Sequence, residues 1–157
     1  LIFLLKMLVL SIPIYLVLMF HISMHPLQEA VIDQSMIVLG YTGFEPSRDG
    51  FLITVNYDHE FTFSISEDCT PWKSSWLLIS LMIAVPGIML TRRLLGMIAG
   101  FVILWIANIS RIFYIVFAEQ FIGYGFAMLF HDILWKLFMV FIVLILWVIW
   151  LRWNKKL

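Results

Sequence analysis

The chain has 157 residues, 63% of them apolar and only 13% charged, with a mean hydropathy of +1.02 and a formal net charge of zero. A water-soluble domain of this length has no interior large enough to hide so much apolar surface, which excludes a soluble globular protein and points to an integral membrane protein. The zero net charge offers no electrostatic footprint for nucleic acid, and a single cysteine, Cys69, excludes an internal disulfide.

In chain order, residues 1–20 are apolar except for Lys6 and end at the polar cluster His21, Ser23, His25 and Pro26, which predicts a first membrane span. A cleaved signal peptide is the alternative reading, and no Ala-x-Ala-like site follows the run. The sequence opens at Leu1 and not at methionine, so a natural start upstream of it is expected. Residues 28–39 place Val31, Ile32, Met36 and Leu39 at helical spacing, suited to a short helix lying on or near the membrane face. Gly40, Gly43, Pro46, Ser47, Asp49 and Gly50 break that pattern. The period then changes to two. Phe51, Ile53, Val55 and Tyr57 alternate with polar neighbours, as do Phe61, Phe63 and Ile65 beyond a turn at Asp58 and His59, predicting a β-hairpin over 51–66. Further spans are expected at 74–91, 94–118 and 133–151, each near the roughly 20 residues that cross about 30 Å of hydrocarbon. The predicted fold is one all-α membrane domain over residues 1–157, a bundle of about four transmembrane helices with the hairpin and short helix between the first two.

Charge orients this bundle. Arg92 and Arg93 fall between spans two and three, and Arg152, Lys155 and Lys156 follow span four, so both ends are expected to be cytoplasmic. The ten acids and four histidines then lie on the other side, which puts residues 21–73 and 119–132 outside the cytoplasm.

Cys69 lies in this outer segment immediately before the second span. Thr70 suits an N-cap and Pro71 the first helical position, so the thiol is expected just outside a helix N-terminus, where partial positive charge favours the nucleophilic thiolate. Glu67 and Asp68 oppose a further negative charge, and an inert half-buried cysteine is the plainer reading. Arg111 shifts the weighting. A permanent charge within a span marks a functional site by default, and Asn108, one turn deeper on the same face, argues against simple snorkelling to the headgroups. His131 opens the last span beside Asp132, which can cap that helix and pair with Lys136. His21, His25 and His59 are scattered, so no metal site and no cofactor are expected. A thiolate that attacks a carbonyl, a fixed cation for the oxyanion and a histidine that moves protons suffice for acyl transfer.

The order of Cys69-Thr70 before a span, then Asn108-Ile109-Ser110-Arg111, then His131 at the last span resembles the exosortase and archaeosortase family of membrane transpeptidases, over a stretch from about Gly40 to the last span. The short chain is similar to the compact archaeosortase-type members. The family commonly has glycine two positions after its cysteine, where this chain has Pro71. The resemblance implies catalytic roles for Cys69, Arg111 and His131, with Asn108, Thr70 and Asp132 in support. It further implies, as substrates, membrane-tethered secreted proteins with a carboxy-terminal sorting signal. The expected function is therefore a sortase-like cysteine transpeptidase of the cell membrane, with its site on the extracytoplasmic face. It would cleave through a thioester and transfer the product to an amine on a lipid or surface component, with hydrolysis as the closest variant. Two other classes remain open: a non-enzymatic membrane subunit or small transporter with a polar pathway at Asn108 and Arg111, and a lipidated cysteine.

Overall fold

The structure, a computed structural model, describes residues 2–20, 23–123, 125 and 135–155. In chain order these form helix α1 (Ile2–Met19), helix α2 (His25–Tyr41), strands β1 (Glu45–Asp49), β2 (Leu52–Asn56) and β3 (Glu60–Ser64), a 3₁₀ turn (Glu67–Cys69), and helices α3 (Trp72–Ala84), α4 (Leu90–Phe121) and α5 (Trp135–Lys155). Among the described residues, three helices are long and apolar enough to cross a membrane: α1, α4 and the stretch Leu137–Asn154 of α5. The span expected at 74–91 is shorter. Helix α3 has 13 residues, about 20 Å of rise, against roughly 30 Å of hydrocarbon. It stops because Pro86 carries no N–H and pushes Val85 out of the helical region, to ψ 120°. Gly87 follows at φ +77°, and α4 then begins early enough to place Arg92 and Arg93 in its first turn and not in the connecting loop.

The chain divides into two compact units. One comprises Leu1–Ile22, Pro71–Leu104 and Met139–Leu157. Within it α1 packs on α3, and the indole N–H of Trp76 donates to the carbonyl of Leu10 at 2.9 Å. That carbonyl lies one residue after Val9, whose own i+4 donor is missing at Pro13 inside α1. Arg93 donates through Nη2 to the carbonyls of Val85, at 2.8 Å, and Ile88, at 3.5 Å. A Cβ on Gly96 would collide with the Trp150 indole, and one on Gly100 with Leu78, so small residues let the helices approach closely. Leu4, Leu8, Ile98 and Phe141 point outward, as lipid-facing side chains do.

The other unit comprises Ser23–Thr70 and Trp105–Phe138. Its sheet is an antiparallel meander in the order β1-β2-β3, a strand larger than the expected hairpin. The hairpin register follows the alternation, pairing Ile53 with Phe63 and Val55 with Phe61. Strand β1 pairs Glu45–Asp49 with Asn56–Leu52; its sequence, Glu-Pro-Ser-Arg-Asp, has no apolar period to announce it. Tyr57 leaves the alternation and is exposed. Helix α2 starts at His25, with Pro26 in its first turn. Its apolar stripe of Val31, Ile32 and Leu39 is buried in the protein's own core with Phe44, Ile53, Val55, Ile65, Cys69, Ile109, Ile112 and Val116, where the sequence suggested a helix resting on the membrane face.

Candidate active site

The backbone of β3 stays extended through Ser66, then tightens into the 3₁₀ turn that carries the cysteine, with the Cys69 N–H donating to the Ser66 carbonyl at 2.9 Å. Cys69 is 5% exposed and Thr70 equally so. Thr70 does not cap α3. Its hydroxyl donates backward to the Glu67 carbonyl at 2.8 Å, and Pro71 occupies the N-cap position with no side-chain cap. The reason is local: at φ −106°, ψ 153°, the Thr70 side chain closes the 3₁₀ turn, so it stabilises the cysteine's own loop. Cys69 therefore sits three residues before the first residue of α3.

Asn108 and Arg111 project from one face of α4, three residues apart, and both reach this turn. Asn108 is 1% exposed and donates from Nδ2 to the Cys69 carbonyl at 2.7 Å, which fixes the backbone of the cysteine. Arg111 is 6% exposed. Its Nη1 donates to the Asp68 carbonyl at 3.4 Å, and its Nη2 lies 4.0 Å from Cys69 Sγ. At 4.0 Å the guanidinium acts on sulfur chiefly through its charge. Amide, guanidinium and thiol come together at this turn, the first two from the shared helix face that their spacing predicts, while His131 and Asp132 lie outside the described residues, as do His21 and Lys156.

Two groups that sequence reasoning passed over, Ser66 and Gln28, hold the same loop, together with Glu67 in a role the sequence did not suggest. The Ser66 hydroxyl lies 3.5 Å from Cys69 Sγ, a contact that follows from the eclipsed i, i+3 side chains of a 3₁₀ turn. The Gln28 amide, a buried polar break in the apolar stripe of α2, donates to the Ile65 carbonyl at 3.2 Å, and Glu67 Oε1 accepts from the Met24 N–H at 3.2 Å. At the far end of the hairpin, His59 Nε2 bonds Glu119 Oε1 at 2.9 Å. Gln120 there accepts from the Asp58 N–H and donates to the His59 carbonyl. The hydrogen bond to Glu119 raises the His59 imidazole above its ordinary 6.5, partial burial opposes this, and the charges of Glu119 and Asp58 add to the rise.

Membrane-length helices with a buried cysteine, amide and guanidinium clustered in the second unit define an integral membrane protein with a thiol at its candidate site. The family model of transmembrane exosortases (Exosortase_EpsH) matches residues 1–155, and the chain belongs to that family, one of membrane transpeptidases linked to the processing of secreted proteins with sorting signals. No curated protein and no solved structure matches the chain.

Proposed function

We propose that the chain is a cysteine transpeptidase acting on secreted, membrane-tethered proteins that carry a carboxy-terminal sorting signal. The observation that carries this reading is the convergence of Asn108 and Arg111 on the Asp68–Cys69 backbone and the Cys69 sulfur. The Cys69 thiolate, favoured by the adjacent guanidinium, attacks a backbone carbonyl of the substrate. As the C–S bond forms, negative charge passes to the carbonyl oxygen, and the Arg111 fork turns from sulfur toward it. His131 gives a proton to the leaving amine as the C–N bond breaks. An amine on a lipid or surface component then attacks the thioester, gives its proton back to His131 and, as the C–S bond breaks, releases the thiolate. A transporter pathway at Asn108 and Arg111 is disfavoured, because both side chains are committed to the turn that bears the thiol.

The reading includes a topology of four crossings, with α3 and the connecting residues 85–89 together making the second and the site on the extracytoplasmic face. From Arg92 to Arg111 the helix rises about 28 Å. If Arg92 marks the cytoplasmic boundary, Arg111 reaches the opposite headgroup level, where an extended substrate segment leaves the membrane. Hydroxylamine tests the chemistry. Intact-mass measurement of the enzyme purified from its own cells is expected to show an acyl adduct on Cys69 that hydroxylamine removes, and Cys69→Ala is expected to carry none and to leave the secreted proteins with their tails. Tails lost normally in Cys69→Ala cells would reject the thiol mechanism.

A further inference from the structure

The two edges of the sheet are not alike. The Ile65 N–H donates to the Phe51 carbonyl at 2.9 Å, so residues 51 and 65 form a hydrogen-bonded pair. Pairs alternate along an antiparallel ladder, so Phe63 and Phe61 also direct their backbone groups at β2. Glu60, Thr62 and Ser64 then aim their N–H and C=O groups away from the sheet. Among the described residues no strand pairs with that side. On the other edge the same parity turns Pro46 and Arg48 outward. Proline has no N–H, so the edge of β1 is blunted in the way that protects a sheet from pairing. The edge of β3 has no such block.

That open edge leads to the thiol. The outward series 60, 62, 64 leads to Ser66, whose backbone is still extended at φ −80°, ψ 170°, whose carbonyl turns back to accept the Cys69 N–H, and whose hydroxyl lies 3.5 Å from Cys69 Sγ. We propose that the edge of β3 is the docking site of the peptide substrate: the segment on the amino side of the bond to be broken pairs with Glu60–Ser64 as a parallel fourth strand and so delivers its carbonyl to Cys69. This rests on the acyl-transfer reading above. The direction follows from connectivity, since a chain running parallel to β3 reaches its last paired residue beside Ser66 and the carbonyl after it beside the sulfur. Main-chain pairing supplies the affinity, as in other strand-addition sites. Glu60 flanks one end of this edge and Glu67 and Asp68 the other, which suits a neutral or basic segment and opposes an acidic one.

The test uses the purified full chain and N-acetyl oligoalanine chloromethyl ketones of one to five residues, which alkylate a thiol through their carboxy-terminal carbon. The rate at Cys69 is read as a ratio to the rate with iodoacetamide, which reports the thiol alone. The ratio is expected to rise about tenfold or more between one and five residues. N-methylation of one alternate set of backbone nitrogens removes the gain, and methylation of the other set leaves it. Thr62→Pro, which deletes one outward N–H and none directed at β2, lowers the gain as well, with thermal unfolding followed in parallel. A ratio independent of length, with Cys69 alkylated normally by iodoacetamide, would overturn strand pairing and leave the thiol mechanism standing. So would a gain that tolerates both methylation patterns, because a side-chain groove would then be the site. A thiol inert to every reagent would overturn both readings.

Discussion

Replacing Asn108 with leucine keeps the side-chain volume and removes the amide that holds the Cys69 carbonyl at 2.7 Å in a site 1% exposed. A buried carbonyl left without its donor costs about 1–3 kcal/mol, against the 5–15 kcal/mol by which a domain is usually stable. The variant is therefore expected to fold and insert with lowered thermal stability. Its effect on chemistry is expected to be larger, because a nucleophile displaced by about 1 Å loses on the order of 10²-fold in rate. Asn108→Asp goes further: it sets a second acceptor against the carbonyl and a negative charge near the sulfur, opposing the thiolate. The order of iodoacetamide alkylation rates at Cys69 should thus be wild type, then leucine, then aspartate, with single-turnover cleavage following the same order. A leucine variant that alkylates and cleaves at the wild-type rate would show that the Cys69 backbone is held without Asn108, and the positioning role would fall.

Arg111→Lys keeps a cation but loses the planar fork, and is expected to slow acyl transfer by roughly 10²-fold with unfolding unchanged; an equal rate in single-turnover cleavage would leave Arg111 as a membrane anchor. The stability contributed by the His59–Glu119 contact depends on pH. Because folding raises the imidazole above 6.5, its stabilisation is complete below about that pH and fades as pH rises through the higher folded-state value. The difference in thermal midpoint between wild type and His59→Ala should shrink across that window, and a difference constant from pH 5 to 9 would remove the charge-assisted contact. In a Cys69→Ala background, cysteine at Arg92 should be labelled only from the cytoplasmic side and cysteine at Asp49 only from outside; labelling of both from one side would reject the proposed topology.

The parts of this molecule legible in the sequence are those where one physical pattern dominates. Apolar runs gave α1, α4 and α5, the two-residue period gave the facing residues of β2 and β3, and the three-residue spacing of Asn108 and Arg111 gave two groups that share a target. Strand β1 was not legible, since Pro46, Arg48 and Asp49 have low strand preference and are held there by pairing with β2. Thr70 was misread for a related reason. A threonine before proline at an apolar run has the signature of an N-cap, whose oxygen would accept from the first N–H groups of the helix, but here the hydroxyl donates backward to the Glu67 carbonyl and α3 starts without it. Neither Ser66 nor Gln28 could be picked out, because each acquires its role from a turn or a neighbouring element that the sequence does not display.

One helix sets the geometry of the whole loop. Asn108 and Arg111 hold the cysteine end of the segment, and Glu119 and Gln120 hold the hairpin tip at His59, roughly 12–18 Å further along the same axis. The residues between, 59 to 69, are clamped at both ends by a rigid element, with β2 supporting their length. The two clamps are not equivalent. The amide clamp is buried and bears directly on Cys69, whereas the histidine clamp is half-exposed at 47% and acts on the thiol only through β3, ten residues away. Loosening the tip should therefore alter the edge of β3 before it alters the reactivity of the sulfur. His59→Ala ought to weaken capture of a long peptide reagent while leaving iodoacetamide alkylation of Cys69 near its wild-type rate. Equal losses with both reagents would mean that the tip and the thiol move as one body.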